Sequence, residues 1–155
     1  MGNKTVGLIG AGVVGKATRL LLEQAGLDVL AYDAAYDAGS TIAEINQKAD
    51  IVFLCVPTPM KKTGQIDLSI LRSVIEELDG GQILVIRSTV VPGTCEKLQD
   101  ENSEFVFCFV PEFLTEANPY EDSKNATRLV VGYDNDLAGI TIAMIFIWLV
   151  IMIRA

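Results

Sequence analysis

The fold of this chain is decided by the stretch KTVGLIGAGVVGKATRLLLEQAGLDVLAYD, residues 4–33. Apolar residues 6–9 predict a short buried strand, and the apolar positions after the glycines predict a helix that ends near Gly26. A second apolar run, residues 29–32, predicts another strand and ends on Asp33. This order of strand, glycine-rich turn, helix and strand ending on an acid is the context in which a G-x-G-x-x-G pattern indicates dinucleotide binding.

Each glycine of the pattern has a physical reason. Gly10 can adopt the backbone angles of a tight turn, and Gly12 has no Cβ to keep a diphosphate away from the main chain. Gly15 lets the helix pack closely on the strand. The first turn of the helix then points its free N–H groups and its positive dipole end at the phosphates. The predicted diphosphate-binding residues are Gly10, Gly12, Val13, Val14 and Gly15.

Asp33 lies about 20 residues beyond the glycine turn, the spacing expected of the acid that accepts hydrogen bonds from the adenosine ribose. Its carboxylate would repel a 2′-phosphate, and no Arg or Lys lies between Asp33 and Asn46 to attract one. The sequence therefore predicts NAD rather than NADP as the cofactor. The less favoured alternative is a glycine-rich turn in an α/β domain that binds no nucleotide.

Composition excludes several classes of function. The chain has 155 residues, of which half are hydrophobic, and a net charge of −8. Such acidity argues against nucleic-acid and anionic membrane surfaces as partners. No histidine is present and the three cysteines form no CxxC pair, so the sequence predicts neither a metal site nor a disulfide framework. The N-terminus carries no secretory signal, which makes the cytoplasm the default expectation.

Strand-like and helix-like segments alternate along the rest of the chain. Further strands are predicted over residues 51–56, 83–86, 105–110 and 128–132, with a short helix capped by Ser40 or Thr41 and helices after the third and fourth strands. The alternation predicts an α/β fold with a doubly wound, mainly parallel Rossmann-type sheet over residues 1–136. Ligands of such sheets bind outside the carboxyl ends of the strands.

Motifs rich in polar residues, glycine and proline follow the predicted strands at those ends. With these motifs the sequence resembles the N-terminal NAD-binding domain of the UDP-glucose/GDP-mannose dehydrogenases. The resemblance covers about residues 4–134 and rests on several motifs in order. These are the glycine turn, Val56-Pro57-Thr58-Pro59, Gly64 with Asp67-Leu68-Ser69, Arg87-Ser88-Thr89-Val90, Pro92-Gly93-Thr94, Pro111-Glu112-Phe113-Leu114 with Glu116, and Arg128-Leu129-Val130-Val131-Gly132.

The resemblance implies residue roles. Such enzymes oxidise the C6 hydroxyl of a nucleotide sugar to a carboxylate with NAD, through a thioester on a cysteine. The middle and nicotinamide end of NAD would then meet Val56, Pro57, Thr58, Pro59, Ser88, Thr89, Val90 and Glu116. Thr89 and Glu116 would be catalytic and position the water that hydrolyses the thioester. The substrate-binding residues would be Glu112, Phe113, Leu114, Thr115 and Glu116. The alternative for Glu112 and Glu116 is a pair of acids that merely favours a helix N-terminus.

The family's nucleophilic cysteine and sugar-nucleotide domain have no counterpart in this sequence, and Cys108 lacks the glycines that precede that nucleophile. We therefore expect NAD binding without completed oxidation, with a nucleotide sugar (a UDP-sugar first) as partner if a second domain completes the site. Whether the chain is an enzyme by itself is left open. The alternative is an NAD-binding regulatory or membrane-tethered module without catalysis, and a dehydrogenase for short hydroxyacids is disfavoured by the later motifs.

Residues 137–153 form an uncharged and almost wholly apolar C-terminal tail within residues 137–155. At about 1.5 Å per residue a helix of this length reaches roughly 25 Å, the short limit for crossing a bilayer. The tail is therefore either a membrane anchor, a segment buried on the domain or against another copy of the chain, or a stretch read from a shifted coding frame. Burial or homo-oligomerisation is the preferred expectation, followed by the anchor.

Overall fold

The computed structural model describes residues 5–115, 117–126 and 128–154, with side chains as far as residue 147. This part of the chain forms six strands and six helices. The strands are β1 (Thr5–Ile9), β2 (Asp28–Tyr32), β3 (Ile51–Leu54), β4 (Ile83–Ile86), β5 (Val106–Phe109) and β6 (Gly132–Tyr133). The helices are α1 (Val13–Gln24), α2 (Ile42–Lys48), α3 (Ser69–Glu76), α4 (Thr94–Glu101), α5 (Pro119–Lys124) and α6 (Asp136–Arg154).

The strands form one sheet in the order β2-β1-β3-β4-β5-β6. The first five run parallel and β6 pairs antiparallel with β5. The predicted α/β fold with a doubly wound, mainly parallel Rossmann-type sheet is thus confirmed. The strand order reverses between β1 and β3, and this switch point is where such sheets bind ligands.

Both faces of the sheet are buried. Ile45 of α2, Leu71 of α3 and Leu98 of α4 pack on one face, and Leu22 of α1 and Ile142 of α6 pack on the other. Helices on both faces explain why the parallel strands consist of nearly unbroken apolar runs.

Helix α1 begins directly after Gly12, which occupies its N-cap. Its buried side consists of Gly15, Ala17, Thr18, Leu21 and Leu22. The helix ends at Gln24, close to the predicted end, and Gly26 follows with a φ of 78° that favours glycine. Helix α2 begins after Thr41, whose hydroxyl accepts from the backbone N–H of Glu44, so the predicted cap is confirmed there.

The sixth strand differs from its prediction over residues 128–132. It comprises only Gly132 and Tyr133, which pair with Phe109 and Cys108. Because β6 lies at the edge of the sheet and pairs only with β5, this short antiparallel pairing is enough to complete the sheet. The apolar residues before Gly132 therefore need not form part of the strand. Strands β3 and β5 are also shorter than predicted, because the chain leaves the sheet before the apolar runs end and continues in the loops at the carboxyl ends of these strands.

The apolar tail is helical. Ala138 and Ile142 are buried against the sheet, whereas Leu137 and Met144 on the other side are 76% and 64% exposed. Apolar side chains thus occupy both sides of α6, which explains why the sequence shows no helical periodicity there. Of the helices in the described part of the chain, none has the length and apolarity that crossing a membrane demands.

Close packing of α1 on β1 gives a first prediction. A Cβ added at Gly15 would lie 1.9 Å from the carbonyl oxygen of Gly10, which is backbone and cannot move aside freely. We expect Gly15→Ala to lower the free energy of unfolding in urea by about 1–3 kcal/mol or more, as overpacking does.

Gly12→Ala is the matched control. A Cβ at Gly12 meets no atom within 4 Å, and the φ of −69° suits alanine. Its loss of stability should stay within about 1 kcal/mol, the usual cost of alanine at an N-cap. Equal unfolding midpoints for the two variants would contradict this account of the turn.

Candidate functional site

The turn after β1 is fixed by its two neighbouring strands. The amide of Gly10 donates to the carbonyl of Tyr32 at 2.9 Å, and the amide of Cys55 donates to the carbonyl of Ile9 at 2.8 Å. Gly10 has a φ of 94°, and a Cβ there would lie 2.6 Å from the carbonyl oxygen of Cys55. The turn therefore requires glycine at this position, and hydrogen bonds to both neighbouring strands fix its shape.

Gly12 differs from Gly10, since it is exposed and a Cβ at this position would lie in open space. It occupies the N-cap position of α1, where no side chain forms a capping hydrogen bond, and the first turn of the helix contains no acid. The predicted contacts Val13 and Val14 are the first two residues of the helix. An uncapped N-terminus beside a bare glycine fits a diphosphate, because its N–H groups and positive dipole end are available to phosphate oxygens.

Asp33 points back at the glycine turn. Its Oδ2 accepts a hydrogen bond from the amide of Ala11 at 2.6 Å, and its Oδ1 accepts one from the amide of Ala35 at 2.8 Å. Each carboxylate oxygen has two lone pairs, so both retain capacity for a ribose hydroxyl. The structure thus brings the predicted ribose-binding acid and the predicted diphosphate turn together.

The exits of β3 and β4 are joined by hydrogen bonds between the loops that follow them. The hydroxyl of Thr58 donates to the carbonyl of Thr89 at 2.7 Å, and the buried hydroxyl of Ser88 donates to the carbonyl of Val56 at 2.7 Å. The predicted lining residues of the two loops are therefore adjacent. The hydroxyl of Ser88 is engaged with β3, whereas Thr89 is exposed.

Glu112, at the exit of β5, forms a buried ion pair with Arg87 at the exit of β4. The side chains of Arg87 and Glu112 are 4% and 13% exposed. The guanidinium carbon lies 5.1 Å from the centre of the Phe146 ring on α6. Burial lowers the pKa of Arg87 to about 10, so the side chain remains charged at neutral pH. The pair fixes the start of the predicted substrate loop to the sheet.

The remainder of that loop is held by its neighbours. Phe113 is half exposed and lies under the guanidinium of Arg128, 4.7 Å from the ring centre. The amide and hydroxyl of Thr115 donate to the carboxylate of Asp122, and the pKa of Asp122 is lowered by these bonds. Leu114, another predicted substrate residue of the loop, is half-buried. The prediction for Glu116 falls outside the described residues.

The family model for the NAD binding domain of the UDP-glucose/GDP-mannose dehydrogenase family matches residues 33–149. The chain belongs to this family. It is the family's NAD-binding domain, and the cofactor predicted from the sequence, NAD, is confirmed at the level of the domain. The matched span begins at Asp33 and includes the exits of β3, β4 and β5, so it covers the crevice except for the glycine turn.

Individual relatives agree with the family assignment. The chain is 35% identical over 97 residues to a UDP-glucose 6-dehydrogenase of Rickettsia conorii, which is 57% of this chain and 22% of that protein. It is also 35% identical over 95 residues to the UDP-glucose 6-dehydrogenase TuaD of Bacillus subtilis, covering 54% of this chain and 21% of that protein. The chain thus spans about a fifth of the length of the curated relatives it matches.

Solved structures share the fold. A GDP-mannose dehydrogenase from Pseudomonas aeruginosa superposes with a TM-score of 0.79 at 22% identity, covering 92% of this chain and 44% of that one. A UDP-glucose dehydrogenase from Pyrobaculum islandicum gives a TM-score of 0.81 at 23% identity, covering 93% and 44%. At these identities the likeness establishes the fold of this family member and nothing finer.

The thiols of this NAD-binding domain are poor nucleophiles. Burial raises the pKa of Cys55, Cys95 and Cys108 to about 11 each, so all three are protonated at neutral pH. Desolvation by burial is the largest cause for each of the three thiols, including that of Cys95 in the first turn of α4. Within the described residues, no group of three or more His, Cys, Asp or Glu side chains is placed to hold a metal ion.

Sequence reasoning did not assign a role to Arg87. The sequence nevertheless contained an indication that Arg87 is buried, because Val85 and Arg87 are two residues apart and a strand places such residues on the same face. Val85 is fully buried, so an arginine that follows it on that face requires a partner. Glu112 is that partner, and its predicted role in substrate binding has to be compatible with this ion pair.

A second prediction concerns the Arg87–Glu112 pair. Glu112→Gln keeps the shape of the side chain but leaves the buried guanidinium uncompensated, and we expect a loss of about 3–5 kcal/mol in the free energy of unfolding. The exposed acid Glu76 provides a control, because Glu76→Gln should change stability by less than about 0.5 kcal/mol.

Removing both charges of the pair provides a second test of whether the loss of stability comes from an uncompensated buried charge. The double variant Arg87→Met with Glu112→Leu should be more stable than Glu112→Gln, since apolar residues carry no desolvation cost. Chemical denaturation of the three variants measures this. A Glu112→Gln protein as stable as the wild type would contradict a charged, buried pair.

Proposed function

We propose that this chain is the NAD-binding part of a nucleotide-sugar 6-dehydrogenase, and that its glycine turn and Asp33 hold the adenosine diphosphate half of NAD. The observation that carries the proposal is the hydrogen bond from Ala11 to Asp33 beside the open face of Gly12. It supports the proposal, because a carboxylate that could accept from ribose hydroxyls then lies next to a helix N-terminus that could bind phosphates. Gly10, Gly12 and Gly15 shape the turn, and the backbone N–H groups of Val13 and Val14 would donate to the phosphate oxygens.

The nicotinamide half would then lie toward the exits of β3 and β4. The loop of Val56, Pro57, Thr58 and Pro59 and the segment of Ser88, Thr89 and Val90 would line it. The hydrogen bond from Thr58 to the carbonyl of Thr89 supports this role, since it holds the two loops at a fixed separation. When bound, NAD would accept the hydride from the C6 position of the sugar.

A UDP-sugar is the proposed substrate class, because relatives of the chain are UDP-glucose 6-dehydrogenases. Glu112, Phe113, Leu114, Thr115 and Glu116 would contribute to its site. The Arg87 ion pair supports a fixed loop there, because it holds the side chain of Glu112 against β4 rather than free to move. Thr89 and Glu116 would orient the water that hydrolyses the thioester, a proposal that rests on the family motif.

This chain alone is not expected to complete the oxidation. The covalent step needs a thiolate, and its own cysteines have their pKa values raised to about 11. A nucleophile from outside residues 1–155 would be required. The proposed role is therefore cofactor binding and hydride-acceptor positioning, with the thiol and the rest of the sugar-nucleotide site supplied from elsewhere.

A second candidate function is an NAD-binding module without catalysis that associates with another protein chain. The exposed side of α6 favours it, with Leu137, Ile140, Met144 and Ile147 all more than half exposed. Apolar side chains in this number on one helix side are typical of an interaction surface. A second copy of this chain would be the simplest partner, and a regulatory role would need no sugar-nucleotide site.

The third prediction tests cofactor binding. Gly12→Ala should weaken NAD binding at least about tenfold in calorimetry, because its Cβ projects into the space proposed for the diphosphate. Gly132→Ala is the matched control, since its Cβ would make only an ordinary contact, 3.6 Å from the Cβ of Phe109 and far from the turn. Unchanged NAD affinity of Gly12→Ala would refute the proposed diphosphate site.

The fourth prediction separates enzyme from binding module. Pure protein with NAD should produce no steady NADH from UDP-glucose, UDP-N-acetylmannosamine or GDP-mannose, because no thiolate is available. In calorimetry the NAD-loaded chain should nevertheless release or absorb heat with UDP-glucose if it is part of a dehydrogenase. Binding of NAD without any response to UDP-glucose would favour the module, and sustained NADH production would overturn the claim of inactivity.

A further inference from the structure

Two basic side chains of α1 lie against the loop that follows Asp33. The ammonium of Lys16 lies 5.3 Å from the centre of the Tyr36 ring. The Nη1 of Arg19 donates to the carbonyl of Ala38 at 3.0 Å. The absence of any Arg or Lys between positions 33 and 46 therefore does not leave the adenosine side of the crevice without positive charge. The charge comes from the neighbouring helix.

Tyr36 ties this loop to the glycine turn. Its hydroxyl donates to the carbonyl of Ala11, the same residue whose amide donates to Asp33. The backbone of Ala11 is thus bound on its donor side by Asp33 and on its acceptor side by Tyr36. The ammonium of Lys16, although exposed, thus lies over a ring that is hydrogen-bonded to the same residue as Asp33.

The two cations differ in how far they are neutralised. Arg19 forms an ion pair with Glu23 at 2.7 Å, so its charge is largely compensated. Lys16 is exposed and forms no ion pair with any carboxylate in the described part of the chain. An ammonium of this kind attracts the nearest anionic group of a ligand.

We propose that Lys16 is a latent ligand for a 2′-phosphate, so that the preference for NAD over NADP depends on the charge of Asp33 alone. The inference rests on the proposed function, in which Asp33 holds the adenosine ribose. A 2′-phosphate would meet the carboxylate of Asp33 and the ammonium of Lys16 together, and the repulsion cancels the attraction. Once Asp33 is neutral, the ammonium can form a charge-assisted hydrogen bond with the phosphate.

Calorimetry with NAD and NADP on four proteins tests the inference. Asp33→Asn is the first, because asparagine keeps an oxygen that can accept from the amide of Ala11. It should bind NADP about tenfold tighter than the wild type does, the gain expected from one charge-assisted hydrogen bond and the loss of one repulsion. Adding Lys16→Met to this variant should remove most of the gain.

Lys48 provides the matched control, since it is an exposed lysine in the last turn of α2 and has the same charge. Asp33→Asn with Lys48→Met should keep the gain in NADP affinity. The gain should also shrink as salt is raised from 50 to about 500 mM, because exposed charges are screened. Asp33→Ser, with unfolding curves for each protein, serves as a second variant if asparagine loosens the turn.

The outcomes are distinct. No gain in NADP affinity by either Asp33 variant, or a gain that survives Lys16→Met, would overturn the inference while leaving NAD binding by the wild type intact. A wild type that binds NADP as tightly as NAD would also overturn it, because Asp33 would then exclude nothing. A wild type that binds neither dinucleotide would overturn the proposed function itself.

Discussion

The hydrogen bond between the amide of Ala11 and the carboxylate of Asp33 is the contact on which the crevice depends. It exists because β1 and β2 pair in parallel with Ile9 opposite Tyr32, so both strands end at the same level of the sheet. The residues that follow them, Gly10 and Asp33, must then emerge side by side. A strand register set by apolar packing thus fixes the distance between a turn and an acid that are more than 20 residues apart.

Glycines in the same motif serve opposite purposes. Gly10 and Gly15 are required by the protein itself, since a Cβ at either would collide with backbone atoms. Gly12 is not required by any contact in the described structure, and its open space has no explanation in folding. A position where the fold would tolerate a side chain and the sequence provides none is the position that a ligand explains best.

Much of the fold was predictable from local patterns, and the failures have physical causes. The unit from β1 to β2 follows from apolar runs separated by glycine, and β3 and β4 follow from runs too short to be helices. The length of β6 was not predictable, because edge pairing of Gly132 and Tyr133 depends on the neighbouring strand. The approach of Lys16 to Tyr36 depends on how α1 is rotated on the sheet, which periodicity gives only coarsely.

The Arg87–Glu112 pair connects the crevice to the apolar tail. A buried ion pair carries a desolvation cost that apolar residues of the same size would avoid, so stability is a weak reason for its presence. What the pair provides is a fixed position for the loop after β5 relative to β4. Phe146 of α6 packs on the guanidinium of Arg87 and edge-on against Phe53 of β3, so the helix helps to exclude water from the charge. Helix α6 therefore contacts the crevice through Arg87, and the apolar character of its buried side follows from that position as well as from the sheet it covers.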